Sequence, residues 1–131
     1  MIFGIPYADL AGLSPPDNLR LGSLAYWALL TLSTMPGHTS HAYALLQEFS
    51  KQFGRKPSSA ALYQALQQLV RRELVEDAGV RRSTRGPELR LFTLTVAGRQ
   101  LALDEAATLQ RVSGEVQASL RSETTKQASR R

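Results

Sequence analysis

The sequence predicts a mainly helical α+β chain: three helices, a two-stranded β hairpin and a long last helix, ending in a short polar tail. Three observations carry that prediction. Apolar residues recur at helical spacing in four stretches, an apolar-rich run of β-like composition lies at 88–95, and Pro- or Gly-bearing breaks separate most of the stretches. A length of 131 residues suits one ordinary domain. With 43% apolar and 21% charged residues the chain has the means to bury a core.

Pro15, Pro16 and Asp17 punctuate the start. Leu21, Leu24, Ala25, Ala28, Leu29 and Leu32 then follow the i, i+3, i+4, i+7 rhythm of a first amphipathic helix, which Pro36-Gly37 stops. A second helix opens after Thr39 or Ser40, whose hydroxyls can accept a free first-turn N–H. Tyr43, Leu46, Phe49 and Phe53 form its inward face, and Gly54 is placed to close it. Pro57 biases Lys56 toward extended backbone, and Ser58-Ser59 offer the cap for a third helix. Its stripe of Leu62, Ala65, Leu66, Leu69 and Val70 faces inward. Ala60, Tyr63, Gln64, Gln67, Gln68 and Arg71 are left outside, an amide-rich face without acids.

Strand-like patterns run from Leu74 to Val80 and from Glu88 to Thr95, flanking a turn that holds Arg81, Arg82 and Arg85 and closes on Gly86-Pro87. Thr95 can cap the last helix, which reaches about Leu120 and carries Leu101. Leu109, Val112, Val116 and Leu120 step by three, four and four, the spacing of a helix–helix seam. The resulting segments are an N-terminal arm at 1–18, a compact unit at 19–95, the last helix at 96–121 and a polar tail at 122–131, expected to fray.

Sixteen Lys and Arg against eleven Asp and Glu give a net charge of +5. That excess is not spread evenly. Residues 51–99 hold ten basic and four acidic side chains, a net of +6, and the rest of the chain nets −1. A concentrated positive field suits a phosphate backbone, because electrostatic binding grows with the number of phosphates neutralised together. The absence of Cys excludes disulfides, thiolate-held zinc and a cysteine nucleophile, and fits a reducing compartment, so a cytoplasmic location is expected. Met1 to Leu13 is apolar but lacks a basic start and is broken by Pro6, Asp9 and Gly12, so it reads poorly as a signal peptide. No apolar run approaches the roughly 18–20 residues that span a bilayer, and no membrane partner is expected.

Helix, helix, a third helix with an amide-rich outer face, then a hairpin with an arginine-loaded turn is the order of a winged helix-turn-helix. A helix fits the major groove of B-DNA, where Gln pairs with adenine edges and Arg with guanine edges, while a neighbouring basic loop reaches phosphates or the minor groove. The candidate DNA contacts are Ser40, Lys56, Ser58, Ser59, Gln64, Gln67, Gln68 and Arg71, with Arg81, Arg82 and Arg85 on the wing. The plainer reading of the glutamines is solvated helix surface, since Gln is a good helix former. His38 and His41 stand three apart with no acidic or Cys partner nearby, which favours capping over metal binding. Without a Gly-rich phosphate loop, a G-x-S-x-G turn or a paired carboxylate site, no enzyme and no cofactor are expected.

Three stretches also resemble a family. His41-Ala42-Tyr43-Ala44-Leu45, Leu62 to Leu69 (LYQALQQL) and Leu94-Thr95-Val96-Ala97-Gly98-Arg99 resemble the HGYEL, LYPALRRLE and LTEAGR stretches of PadR-like transcriptional regulators, in the same order. The match runs from about Leu19 to Leu109. The resemblance implies a homodimeric repressor that binds double-stranded DNA at an inverted repeat. The first and last helices would form the dimer, through Leu101, Leu109, Val112, Val116 and Leu120 on the last. The short C-terminus looks like the subgroup with one helix after the wing. Tyr63 would touch a phosphate, the plainer reading being that it packs at the contact between the second and third helices, and Trp27 either packs in the core or dimer seam or lines a pocket for a small aromatic effector. Departures are Ala60-Ala61 for the family's Gly-Thr, Gln64 for Pro, Leu91-Phe92 for paired tyrosines and Glu73 for Gly. The operator therefore does not transfer from relatives. A second reading of the same fold is a protein-interaction module whose basic face binds an acidic protein partner.

Overall fold

A computed structural model describes residues 19–81, 86 and 88–129, with side chains to 124. The N-terminal arm and the wing-tip Arg82 and Arg85 lie outside the described residues. The elements in order are α1 (Leu24–Ser33), a 3-10 turn (Pro36–His38), β1 (Thr39–His41), α2 (Ala42–Phe53), α3 (Ser59–Arg71), β2 (Val75–Arg81), β3 (Leu89–Leu94) and α4 (Val96–Ser129). Arg99 ends one compact unit and Gln100 begins another.

Helix α1 starts later than the leucine spacing suggests. Ser23 accepts the Tyr26 N–H at 3.1 Å and caps it, which leaves Leu21 in the preceding turn, exposed. Ala25, Tyr26, Ala28, Leu29, Thr31 and Leu32 are buried around most of the helix, and α1 touches α2, α3 and β3. It is the central element of the unit. The buried Thr31 hydroxyl donates to Trp27 O at 2.8 Å, so its burial leaves that donor satisfied.

The chain leaves α1 through Pro36-Gly37, as expected, and then forms a strand the apolar pattern does not signal. β1 pairs antiparallel with β3, Thr39 opposite Thr93 and His41 opposite Leu91, giving a three-stranded sheet of order β1-β3-β2. This strand changes how α2 begins. The cap is His41, whose Nδ1 accepts the Ala44 N–H at 3.2 Å, in place of Thr39 or Ser40. At the other end Gly54 closes α2 with a left-handed φ of 66°, where the sequence places it. Ser58 caps α3 by accepting the Ala61 N–H at 3.0 Å, and Leu62, Ala65, Leu66 and Leu69 are buried. Val70, assigned to the same stripe, is half-buried.

The wing strands follow the predicted hairpin, with one irregularity. Between Asp77 and Val80 the register slips through a bulge, where Gly79 holds φ 93°, a backbone conformation costly for other residues. On β3 it is Phe92 that points into the core.

The junction into α4 is tight. Thr95 Oγ1 accepts the Gly98 N–H at 3.0 Å, which makes Thr95 the cap, and donates to Glu73 O at 2.7 Å. A Cβ placed on Gly98 would stand 1.9 Å from Leu74 O, so only glycine permits this approach. Helix α4 runs to Ser129, past the Leu120 that apolar spacing marks. Propagating an existing helix adds a hydrogen bond for each residue fixed, so polar helix formers continue it without a packed face.

Candidate nucleic-acid interface

The amide-rich side of α3 faces outward. Ser59, Ala60, Tyr63, Gln64 and Arg71 are exposed, while Gln67 and Gln68 are half-buried. The two glutamines and the exposed Gln64 and Arg71 line a groove of about 730 Å³ between this face and the first turn of α1, with Ser23 and Leu24 on its other wall. No acidic side chain stands in the first turn of α3, so the unpaired N–H groups there keep their partial positive charge.

Tyr63 is 42% exposed, with its ring edge-on to the buried Phe92 at 6.1 Å between centroids. Packing and surface contact are thus not alternatives for this residue: the ring is held from β3 while part of the side chain meets solvent. Lys56 and Ser58, just ahead of α3, are exposed on the same approach.

Ser40 departs from its expected place. It is 6% exposed, opposite Phe92 in β1, and its hydroxyl donates to His41 O at 2.8 Å. Pairing with β3 turns this residue inward, away from any phosphate. Tyr43 departs in the opposite sense. Assigned to the core, it is 63% exposed, because the buried face of α2 is Leu45, Leu46 and Phe49. Phe53 is also more exposed than its inward assignment, though its ring packs at a tilt against Phe49 and Trp27, with centroids 4.6 Å and 5.3 Å away. Trp27 is half-buried in that cluster, edge-on to Tyr26 at 5.0 Å.

On the wing, Arg81 is exposed at the end of β2. Arg90, on β3, is held by Asp77 across the hairpin, and Asp77 also accepts the Gly79 N–H at 2.9 Å. The Gly79 N–H and then the Arg90 guanidinium hold the Asp77 carboxyl below its ordinary range, and Asp77 in turn raises Arg90. This pair was not legible beforehand, because the partners lie on different strands and the bulge that brings them together leaves no pattern in the sequence.

His38 Nε2 lies 3.2 Å from the Arg99 guanidinium, and its Nδ1 lies 3.1 Å from Ser33 O. Among the described residues no group of three or more His, Asp or Glu is placed to hold a metal ion. No helix among them is long and apolar enough to cross a membrane.

On α4, Leu109, Val112, Val116 and Leu120 are exposed, from 36% at Leu109 to 58% at Leu120, and Leu101 is half-buried. Leu103, absent from the expected seam, is exposed as well.

A family model described as the transcriptional regulator PadR-like family matches residues 31–104, more than half of the chain. This chain belongs to the PadR-like family of transcriptional regulators. It is therefore a transcriptional regulator by family, not an enzyme. The PadR-like segment spans α2, α3, the wing and the junction into α4, the elements that carry the three sequence stretches. No curated protein matches the chain significantly by sequence. Among solved structures, the chain is similar to a PadR-like transcriptional regulator from Bacillus cereus, with 19% identity over 72% of this chain and 90% of that one and a TM-score of 0.62. It is also similar to a PadR family regulator from Clostridium difficile, at 14% identity over 72% and 98% and a TM-score of 0.61. Bacillus subtilis PadR, solved in complex with operator DNA, matches at 16% identity over 64% of this chain and 48% of that one, with a TM-score of 0.53. At these identities the likeness is one of fold: a winged helix followed by a C-terminal helix.

Proposed function

We propose that this PadR-like protein is a cytoplasmic repressor that binds an inverted-repeat operator as a homodimer. Helix α3 enters the major groove of each half-site and the wing rests on the backbone or in the minor groove. The observation that carries the reading is the outward face of α3: exposed at Ser59, Ala60, Tyr63, Gln64 and Arg71, acid-free at its start, and continuous with exposed Lys56 and Ser58. The residues assigned to DNA are Lys56, Ser58, Ser59, Tyr63, Gln64, Gln67, Gln68, Arg71 and Arg81, together with Arg82 and Arg85. Ser40 is left out. Residues 19–95 are the DNA-binding part, and α4 supplies the dimer contact through Leu101, Leu109, Val112, Val116 and Leu120.

In vitro selection from random duplexes tests this directly. The expected product is a pseudo-palindrome with half-sites about one helical turn, roughly 34 Å, apart, whose affinity falls steeply with salt. Replacing Gln64 or Gln67 by Ala should cost about 1–3 kcal/mol at one or two base positions and little elsewhere. Equal binding to every duplex would refute sequence reading, and binding to none would leave the acidic protein partner as the better account of the basic face.

A further inference from the structure

We infer that Tyr43 is a backbone contact that acts with Tyr63 across a shallow trough seating the sugar–phosphate chain of one operator strand; this assignment rests on the DNA-binding reading above. At about 100° per residue, Tyr43 lies roughly 110° from the centre of the buried arc formed by Leu45, Leu46 and Phe49. Tyr63 lies at roughly the same angle from the centre of the arc of Leu62, Ala65, Leu66 and Leu69. Each phenol therefore emerges at the margin of its helix. Between them is a trough of about 440 Å³, with Ala42, Leu46, Ser59 and Ala60 among its lining residues.

The trough's chemistry suits an anionic chain with apolar rings. Its apolar lining, Ala42 and Ala60 at the surface over Leu46 and Leu62, matches the hydrocarbon face of deoxyribose, and the two phenols and Ser59 bring hydroxyl donors for phosphate oxygens. Helices α2 and α3 both begin here, and neither has an acidic residue in its first turn to offset the partial positive charge of its N-terminus. Ala60 and Tyr63 belong both to the trough and to the outward face of α3. A strand lying in the trough is thus one strand of the duplex that α3 enters. A tyrosine serving only as solvated surface would need none of these coincidences.

The test compares wild type with Tyr43→Phe, using the fluorescein-labelled duplex obtained by selection and a scrambled duplex of equal length. Loss of one hydrogen bond to a charged oxygen should weaken both duplexes by the same factor, roughly tenfold, and leave the selected sequence unchanged. A neutral methylphosphonate at the contacted position should weaken wild type and add nothing to Tyr43→Phe. Thermal unfolding should match wild type, because Tyr43 lies outside the core. Unchanged affinity for both duplexes, or a loss confined to the selected sequence, would overturn the assignment while leaving the DNA reading intact. Wild type that binds neither duplex would overturn both.

Discussion

At the base of the wing Asp77 serves two donors, the Gly79 N–H along its own strand and the Arg90 guanidinium across the hairpin. Because its folded-state pKa is lowered, its stabilising contribution is complete above the ordinary aspartate range and is lost as pH falls through the lowered value. We expect the Gly79 amide resonance to titrate with a midpoint below that of an ordinary aspartate, and to lose that transition in Asp77→Asn. A midpoint at or above the ordinary range would contradict the pairing. Residue-scale roles were legible where they depend on neighbours in sequence: Ser58 and Thr95 as caps and Gly54 as a terminator are all read within four positions. They were not legible where a distant strand decides. Ser40 looks like a cap until β3 pairs with it, and Tyr43 looks like core only if Leu45 is not counted in the buried arc.

Among the elements, the helices were the most legible because their apolar period is long enough to average out exceptions. β1 was not. Three polar-leaning residues carry no alternation, and they extend because β3 offers a ladder, which is context rather than propensity. The start of α4 shows the reverse case, a residue whose identity is visible in sequence but whose reason is not. In an open helix, replacing Gly by Ala gains about 1 kcal/mol. At Gly98 the sign should invert, since the added methyl meets Leu74 backbone. Gly98→Ala is expected to lose stability by at least the ~1–3 kcal/mol typical of overpacking, read as a lower thermal midpoint. A neutral or stabilising result would mean that the junction opens more readily than its packing indicates.

For the whole molecule, the mainly helical fold with a C-terminal helix and the family were both readable from the chain, because element order and three short motifs point the same way. Assembly is a separate matter that depends on the apolar residues α4 leaves uncovered. If they form the proposed dimer contact, Val112→Glu combined with Val116→Glu should give a monomer in sedimentation and weaken operator binding by well over tenfold, since one half-site then binds without its partner. A double variant that stays dimeric would move the interface elsewhere. The third strand has a consequence at this scale as well. Without β1, the apolar β3 would offer an open row of N–H and C=O groups on its second side, a template for strand exchange with another copy. β1 occupies that side at Leu91, Phe92 and Thr93, and it is itself too short and too polar to recruit a further strand. Three residues between a turn and a helix thus act as the sheet's guard against aggregation.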